Sequence, residues 1–413
     1  MHRRKLSQRE ITVWILVYIL FIAHGTNIFN FVNMLTAFVF TSLILILCYY
    51  YRVEISVKLF FAFVLLLLNH VVTGIITGAS VSEGFNFTGW MLMFFSVMIV
   101  KLLYKLDNNV MVKFIKVVVL FSIISLLCYA LVQLGFGNVI STIFRTYKSG
   151  MGTVAGKWLY VYNLRNPQRN SGVFTEPGIY QVILVMCIYV MVFLRDRIYL
   201  SNIQYNISLV ILLVTLVTTK SAAGFIGLFA IMCTFLLKRK KRNDYIIVVF
   251  MVSVFGFLVF DYCTNGYNSI LEKYFFGKIV ETAELNTNLT SGGARLVAMQ
   301  LGIESALKHP FGIGFIGWQN KLYEIYGANI GTGNALFSQL GIRGFPAFFL
   351  TLYIAIMPAT KNKKSMLEVS LYVFLYIYIS IVQSSVLYPA VVLTAYLPQH
   401  LNFSGEIKYR SNK

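Results

Sequence analysis

The sequence predicts an all-α, polytopic integral membrane protein with about 12 transmembrane helices, from its composition, its block lengths and its lack of strand alternation. Of the 413 residues, 58% are hydrophobic and 12% are charged, and the mean hydropathy is +0.73. Soluble domains are roughly half apolar and about a quarter charged. The apolar blocks of roughly 17 to 25 residues are long enough to cross a ~30 Å hydrocarbon core as helices, and they lack the alternation of barrel strands. Helices also satisfy their own backbone hydrogen bonds in lipid.

The distribution of Lys and Arg predicts the membrane topology of these helices. Twelve spans put both termini on one side, and the segments on that side carry 23 Lys and Arg against 11 on the other, with Arg343 inside a span. Short loops rich in Lys and Arg remain cytoplasmic, so both termini are predicted to be cytoplasmic. This rule accounts for the net charge of +20, so no nucleic-acid partner is inferred. The candidate spans are 11–24, 31–51, 59–76, 89–105, 117–134, 178–194, 203–218, 222–237, 245–261, 333–357, 366–384 and 387–400.

The whole chain, residues 1–413, is predicted to form a single membrane domain with two long external loops at 135–177 and 262–332. The second loop contains a predicted amphipathic helix, 295–308, with Leu296, Met299, Ile303 and Leu307 at helical spacing. Such a helix is expected to lie on the outer surface of the membrane.

The first external loop is unexpectedly basic. Its cations face a single carboxylate, Glu176, on the side where positive charge is normally sparse. An arginine guanidinium fits phosphate oxygens, so several cations beside a pyrophosphate would bind it without a metal ion. The alternative is a solvated loop that touches anionic lipid headgroups. The cations are Arg145, Lys148, Lys157, Arg165 and Arg169.

Glu176 stands where this loop meets an apolar span, directly before Pro177. Proline suits the first turn of a helix, and the helix dipole favours an ionised carboxylate there. Glu176 is therefore either an ordinary helix cap or a catalytic group.

Three motifs resemble those of O-antigen and capsule repeat-unit polymerases (Wzy), within the O-antigen ligase-like polymerase superfamily. Residues 169–178 read Arg-x-x-Gly-x-Phe-x-Glu-Pro-Gly, and Gly293-Ala-Arg295-Leu is followed by His309-Pro-Phe-Gly-Ile-Gly314. A third stretch, from Asn334 to Gly344, resembles the start of the family's next span. Ligases often carry His-Asn where this chain has Gly333-Asn334, which favours a polymerase over a ligase.

The resemblance implies a glycosyltransferase of the bacterial inner membrane that joins repeat units on its outer face. The implied substrate is an oligosaccharide linked to undecaprenyl pyrophosphate, and the implied partners are membrane lipids and a chain-length regulator protein. The pyrophosphate linkage supplies the energy, so no cofactor and no metal are expected, and neither a Walker loop nor an external Asp-x-Asp pair is found.

The cations expected to bind the pyrophosphate are Arg165, Arg169, Lys220, Arg295 and Arg343. Arg343 stands out because a charge inside a span normally faces a bundle interior or an aqueous cavity. Three of these cations have simpler alternatives. Arg295 could pair with Glu304 in its own loop, Arg343 could pair structurally with a carbonyl or hydroxyl, and Lys220 could be an ordinary loop lysine.

Glu176 and His309 are the candidate general bases for the acceptor hydroxyl, with Glu176 preferred. His309 could instead only end the helix before Pro310. Two other functions compete with polymerisation: O-antigen ligation, which transfers glycan to lipid A core, and transport of the lipid-linked repeat by a flippase. The two large external loops and the lack of an internal repeat favour an enzyme over a transporter.

Overall fold

The structure is a computed structural model. It describes residues 7–26, 34–78, 87–143, 146–149, 152–155, 159–163, 166–238, 264–265, 291–327, 334–362, 365–383, 385 and 387–398. The predicted span 245–261 and the candidate Arg165 lie outside the described residues.

The described chain is predominantly helical, as predicted. Its first half contains α1 (Gln8–Ile22), α2 (Met34–Tyr50), α3 (Val57–Ile76), α4 (Phe87–Leu106), α5 (Val110–Leu131), α6 (Gly137–Ile143), α7 (Pro177–Phe193), α8 (Asn202–Thr218) and α9 (Ala222–Lys238). Its second half contains α10 (Ser291–Lys308), α11 (Gly314–Tyr326), α12 (Ala335–Asn362), α13 (Met366–Val382) and α14 (Pro389–Ala395). A π-helical turn, Val132–Phe136, joins α5 to α6.

Several of these helices have the length and composition of membrane spans. Among the described residues, Val57–Ile76, Val110–Ile140 and Ala335–Asn362 are long and apolar enough to cross a membrane, and five shorter helices are also apolar. These findings support a helical membrane protein, whereas the count of 12 spans stays a prediction. The predicted span 387–400 is not a spanning helix, because α14 has only 7 residues. Its apolar residues are buried against α1, α4, α7 and α12, so burial in the protein accounts for their hydrophobicity.

The segment 135–177 contains β-structure that the all-α prediction missed. Three short strands, β1 (Thr146–Ser149), β2 (Gly152–Ala155) and β3 (Tyr162–Asn163), form an antiparallel sheet in the order β1-β2-β3. Thr146 pairs with Ala155, and Ala155 in turn pairs with Tyr162. The strands are too short to give a period-2 signal that stands out from a loop.

Helix α7 is the centre of the bundle. Almost all of its side chains are buried, and it packs against α8, α9 and α14. A helix that is hydrophobic on every side belongs in the interior, which explains why its sequence has no polar face. The N-terminus of α7 therefore holds a fixed position, and Glu176 lies directly before it.

The second loop contributes two helices rather than one. Helix α10 covers the predicted segment 295–308 and begins earlier, at Ser291, and α11 follows it. The expected apolar stripe of α10 is largely exposed, since Met299, Ile303 and Leu307 face away from the protein. The opposite face packs closely on α12, where a Cβ at Gly302 would lie 2.3 Å from the carbonyl oxygen of Phe337. Such close approach of two helices requires small residues.

A buried ion pair locks the far end of α7 to α12 and α13. Arg197 Nη2 lies 3.1 Å from Glu368 Oε2, and both side chains are almost fully buried. Arg197 also donates to the carbonyl oxygen of Asn362, and the Tyr189 hydroxyl donates to that of Glu368. The Arg197 cation therefore has a carboxylate partner inside the protein, which is the arrangement expected of a charged residue with a structural role.

Candidate functional site

Glu176 is the N-cap residue of α7, but its side chain does not cap the helix. Its backbone is extended (φ −148°, ψ 154°), and no capping hydrogen bond is formed by the carboxylate. The ordinary capping interpretation is therefore wrong. Burial raises the pKa of the Glu176 carboxyl, and the charges of Arg295 and Arg169 oppose that rise. The carboxylate is thus free of a helix-capping role and lies within the field of two arginines.

Arg169 reaches this position because its segment packs on the turn between α8 and α9. Arg169 Nε donates to the carbonyl oxygen of Thr219 at 3.2 Å, and the backbone N–H of Asn170 donates to that of Thr218 at 3.0 Å. Lys220 is the next residue of the same turn and has a positive φ of 46°. The structure therefore places Lys220 beside the Arg169 segment.

The Gly and Phe of the Arg-x-x-Gly-x-Phe-x-Glu-Pro segment hold its two charged residues in place. Gly172 has φ +57°, and a Cβ there would lie 2.7 Å from the ring of Tyr180, so only glycine fits. Phe174 is completely buried and stacks on Tyr180 with ring centroids 5.0 Å apart. These contacts anchor the middle of the segment in the core, which leaves Arg169 and Glu176 at its two ends fixed relative to each other.

Arg295 comes from α10, in the second loop, and lies within electrostatic range of Glu176. Burial lowers the pKa of the Arg295 guanidinium, and Glu176 and Tyr378 oppose that effect. Its Nε is buried and has no hydrogen-bond partner among the described residues. The proposed pairing of Arg295 with Glu304 is wrong, because Glu304 instead binds Lys308, one turn along the exposed face, at 2.7 Å.

Asn334 couples Arg295 to the start of α12. Its Nδ2 donates to the carbonyl oxygen of Arg295 at 3.0 Å, while its Oδ1 accepts from the backbone N–H of Phe337 at 3.2 Å. The second bond satisfies one of the free N–H groups at the helix N-terminus. The Asn334 motif thus fixes α10 and α12 together at the residue that carries the guanidinium.

The His309-Pro310-Phe311-Gly312 segment packs against a kink in α12. Gly344 has φ 75° and ψ −172°, and a Cβ there would lie 1.9 Å from the carbonyl oxygen of Pro310. That same oxygen accepts a hydrogen bond from the Phe345 backbone N–H at 2.9 Å. His309 itself is exposed, and its backbone N–H bonds to Ser305 at the end of α10. The motif therefore shapes the kink, and the described contacts of His309 are those of a helix terminus.

Arg343 lies at this kink, about two turns into α12. The side chain is buried, and Nη1 donates to Gln339 Oε1 at 2.7 Å. Its backbone carbonyl accepts from Asn69 Nδ2 of α3 at 2.9 Å. Arg343 thus has an amide as its hydrogen-bond partner, and it contacts α3 rather than Glu176.

The structure brings three of the sequence-predicted residues into one site and leaves others outside it. Arg169, Glu176 and Arg295 are electrostatic neighbours, and the Lys220 turn adjoins Arg169. Tyr378 of α13, a neighbour of Arg295, was missed because it sits in an apolar span with no motif around it. Among the described residues, no group of three or more His, Cys, Asp or Glu side chains could hold a metal ion.

Comparison with known families supports a glycan-handling enzyme. Residues 207–352 match the family model Wzy_C, described as O-antigen ligase. This stretch resembles the O-antigen ligase-like superfamily. The matched region contains Lys220, Arg295, His309 and Arg343, whereas Arg169 and Glu176 precede it. The match supports a membrane enzyme related to glycosyltransferases of the polymerase and ligase type. No curated protein matches the chain.

Proposed function

We propose that this protein is a polymerase that joins oligosaccharide repeat units carried on undecaprenyl pyrophosphate, on the outer face of a bacterial inner membrane. The observation that carries the proposal is the convergence of Arg169, Glu176 and Arg295, which come from two loops far apart in sequence. A carboxylate within electrostatic range of two guanidinium groups suits a reaction in which an anionic group leaves while a hydroxyl loses its proton.

In the proposed reaction, the acceptor hydroxyl oxygen bonds to the anomeric carbon of the donor sugar. The bond from that carbon to the pyrophosphate oxygen breaks, and undecaprenyl pyrophosphate leaves with the electron pair. Glu176 takes the hydroxyl proton, and Arg169 and Arg295 stabilise the charge that develops on the leaving pyrophosphate. Arg165, Lys220 and Arg343 are proposed as further pyrophosphate ligands, whereas His309 is the less favoured base.

Glu176 suits the role of base for a physical reason. Burial raises its carboxyl pKa above that of an exposed glutamate, which makes the carboxylate a stronger base than it would be in water. Arg295 and Arg169 limit that rise in pKa, because nearby positive charges favour the ionised carboxylate. The two arginines thus serve both the leaving group and the base.

The test is a set of single variants, Arg169→Ala, Glu176→Gln and Arg295→Ala, produced in a strain that lacks the native gene. Each is expected to lower the rate of polymerisation by roughly 10²-fold or more, in line with the loss of one charge-stabilising or proton-transferring group. The readout is glycan length on gels, with membrane protein level measured in parallel. Lys308→Ala is the matched control, because Lys308 lies on the same helix as Arg295 but is exposed and pairs with Glu304. Full-length polymer from all three variants would refute the site.

A ligase is the second candidate, and the description of the matched family favours it. The reaction at the donor is the same, but the acceptor is lipid A core. A deletion strain separates the two functions: loss of a polymerase leaves single repeats attached to lipid A, whereas loss of a ligase leaves long chains unattached. The Gly333-Asn334 sequence, where ligases often carry His-Asn, supports the polymerase.

A further inference from the structure

A polar cleft lies between the α5–α6 junction and the segment that follows β3. Its volume is about 270 Å³, and its polar side chains are Gln133, Asn138, Tyr162 and Gln168. A water molecule occupies ~30 Å³ in the liquid, so the cleft has room for a ligand the size of a sugar ring. Gln168 directly precedes Arg169 in the chain, which places the cleft next to the candidate site.

The lining of the cleft is polar but uncharged. Of the described residues that line it, none has a charged side chain, and three are the amides Gln133, Asn138 and Gln168. Each amide carries two N–H donors and one carbonyl acceptor, which matches hydroxyl groups that both donate and accept. A phosphate would call for cations in the lining, and a metal ion would call for carboxylates. The lining therefore favours a neutral ligand with several hydroxyl groups.

The two walls of the cleft are tied to each other by hydrogen bonds. Gln133 Nε2 donates to the carbonyl oxygen of Pro167 at 2.9 Å, and the Tyr129 hydroxyl donates to that of Gln168 at 3.1 Å. The Gln133 amide keeps its own carbonyl oxygen as an acceptor for a ligand. Because these bonds set the width of the cleft before a ligand binds, they lower the ordering cost of binding.

The backbone of one wall is the π-helical turn Val132–Phe136, a kind of turn that is frequent at functional sites. Gly135 lines the cleft with φ 92°, and a Cβ there would meet no atom within 4 Å. The backbone conformation therefore requires this glycine, whereas crowding does not. Gly137 also lines the cleft, and a Cβ there would lie 2.7 Å from the Tyr162 hydroxyl oxygen. Glycine at this position thus leaves room for the Tyr162 phenol.

The other side of the same junction is apolar and exposed. Leu134 is 73% exposed, Phe136 is 52% exposed and Val139 is 51% exposed. An exposed apolar surface that continues from a membrane-spanning helix is expected to lie against the bilayer, with polar groups turned away from it. The cleft is then at the level of the membrane surface, where the sugars of a lipid-linked glycan begin.

We propose that the polar cleft binds one sugar ring of the repeat unit through Gln133, Asn138, Gln168 and the Tyr162 phenol. This inference rests on the proposed function and deepens it, because it assigns the neutral sugar to a site separate from the arginines proposed for the pyrophosphate. Recognition at this site depends on hydroxyl groups and needs neither the lipid nor the phosphate.

The test is saturation-transfer difference NMR with the full-length protein in detergent micelles. The probe is the oligosaccharide released by mild acid from the lipid-linked glycan of a strain that lacks the gene, so it carries neither lipid nor phosphate. The variants are Asn138→Ala, Asn138→Asp and Tyr162→Ala, and Asn138→Asp keeps the side-chain size while it removes the two amide donors. Gln300→Ala is the matched control, because Gln300 is an exposed amide on α10 that does not line the cleft.

The oligosaccharide is expected to bind the native protein and Gln300→Ala equally, and each cleft variant should weaken its affinity by about tenfold through the loss of hydrogen bonds. In a polymerisation assay the same variants should raise KM with little change in kcat, since they remove binding that the ground state and the transition state share. No binding to the native protein, equal binding by all variants, or displacement of the oligosaccharide by phosphatidylglycerol would overturn the proposal.

Glu176→Gln separates this inference from the proposed function, because it should abolish polymer and leave oligosaccharide binding unchanged. Full-length polymer from Glu176→Gln, together with weaker binding in the cleft variants, would refute the function and support the cleft. Loss of polymer in Glu176→Gln, together with unchanged binding in the cleft variants, would refute the cleft alone.

Discussion

The kink in α12 offers a sharp test of how the second loop is held against the bundle. Gly344→Ala places a Cβ on a residue with φ 75° and ψ −172°. That region of backbone space is essentially restricted to glycine, and a residue with a side chain is strained there by about 1–3 kcal/mol. The substitution therefore destabilises the folded state before any contact is considered.

The contact adds a second cost. The new Cβ would lie 1.9 Å from the carbonyl oxygen of Pro310, which is backbone and cannot rotate away. Moving it disturbs the hydrogen bond from the Phe345 N–H. Overpacking of this kind costs about 1–3 kcal/mol. Together the two effects predict a loss of about 4 kcal/mol in the free energy of unfolding.

The assay is equilibrium unfolding of the purified protein in detergent micelles, with Gly327→Ala as the matched control. Gly327 also has a positive φ, of 66°, but a Cβ there would meet no atom within 4 Å. Its substitution should cost only the left-handed strain, roughly 1–2 kcal/mol. Gly344→Ala is also expected to shorten the polymer, because the loop that shapes the Arg343 kink must move. Equal losses of stability in the two variants would refute the proposed backbone contact.

Three further predictions follow from the charged residues. Because burial raises the pKa of Glu176, acidification should reduce the polymerisation rate at a higher pH than it would with an exposed glutamate as the base. Arg295→Ala removes a charge that lowers this pKa, so the acid limb of a normalised pH–rate profile should shift to still higher pH. An unshifted acid limb would exclude Glu176 as the base. Arg197→Ala should lower the free energy of unfolding by about 3–5 kcal/mol because it leaves Glu368 buried and unpaired, and a double variant, Arg197→Met with Glu368→Leu, should recover most of that loss in the same unfolding assay. Arg343→Met should stabilise the ligand-free protein by about 1 kcal/mol or more and should reduce the stabilisation expected from added undecaprenyl pyrophosphate, because the proposal assigns Arg343 as one of its ligands; thermal unfolding with and without the lipid measures both effects.

Local sequence predicted the Arg169–Glu176 segment well. Its glycine, phenylalanine and proline each act within a few residues, so spacing alone indicates a fixed loop that leads into a helix. The start of α12 at Asn334 is similarly local, because the side-chain cap bonds to Phe337 in the next turn. The helical class followed from composition, since lipid leaves the backbone few other choices.

Contacts between distant segments were not predictable in the same way. The sequence suggested Glu304 as a partner of Arg295 because the two share a loop. In the fold, Arg295 instead lies within electrostatic range of Glu176, and Glu304 pairs with Lys308. The apolar pattern of 387–400 looked like a span, although its residues are apolar because they fill the core. Hydrophobicity alone does not distinguish a surface that faces lipid from one that faces protein.

The buried Arg197 and Arg343 and the half-buried Arg295 differ in which group neutralises their charge, and that difference separates a structural role from a functional one. Arg197 has a carboxylate at 3.1 Å and a carbonyl, so its charge is satisfied within the protein. Arg295 has Glu176 within electrostatic range, but among the described residues it does not form the close ion pair that Arg197 makes with Glu368. Arg343 binds an amide that carries no charge. A protein that keeps such a cation gives up stability, and binding an anion there recovers it. The order Arg197, Arg295, Arg343 is therefore also the order in which we expect an added anionic ligand to stabilise the protein increasingly.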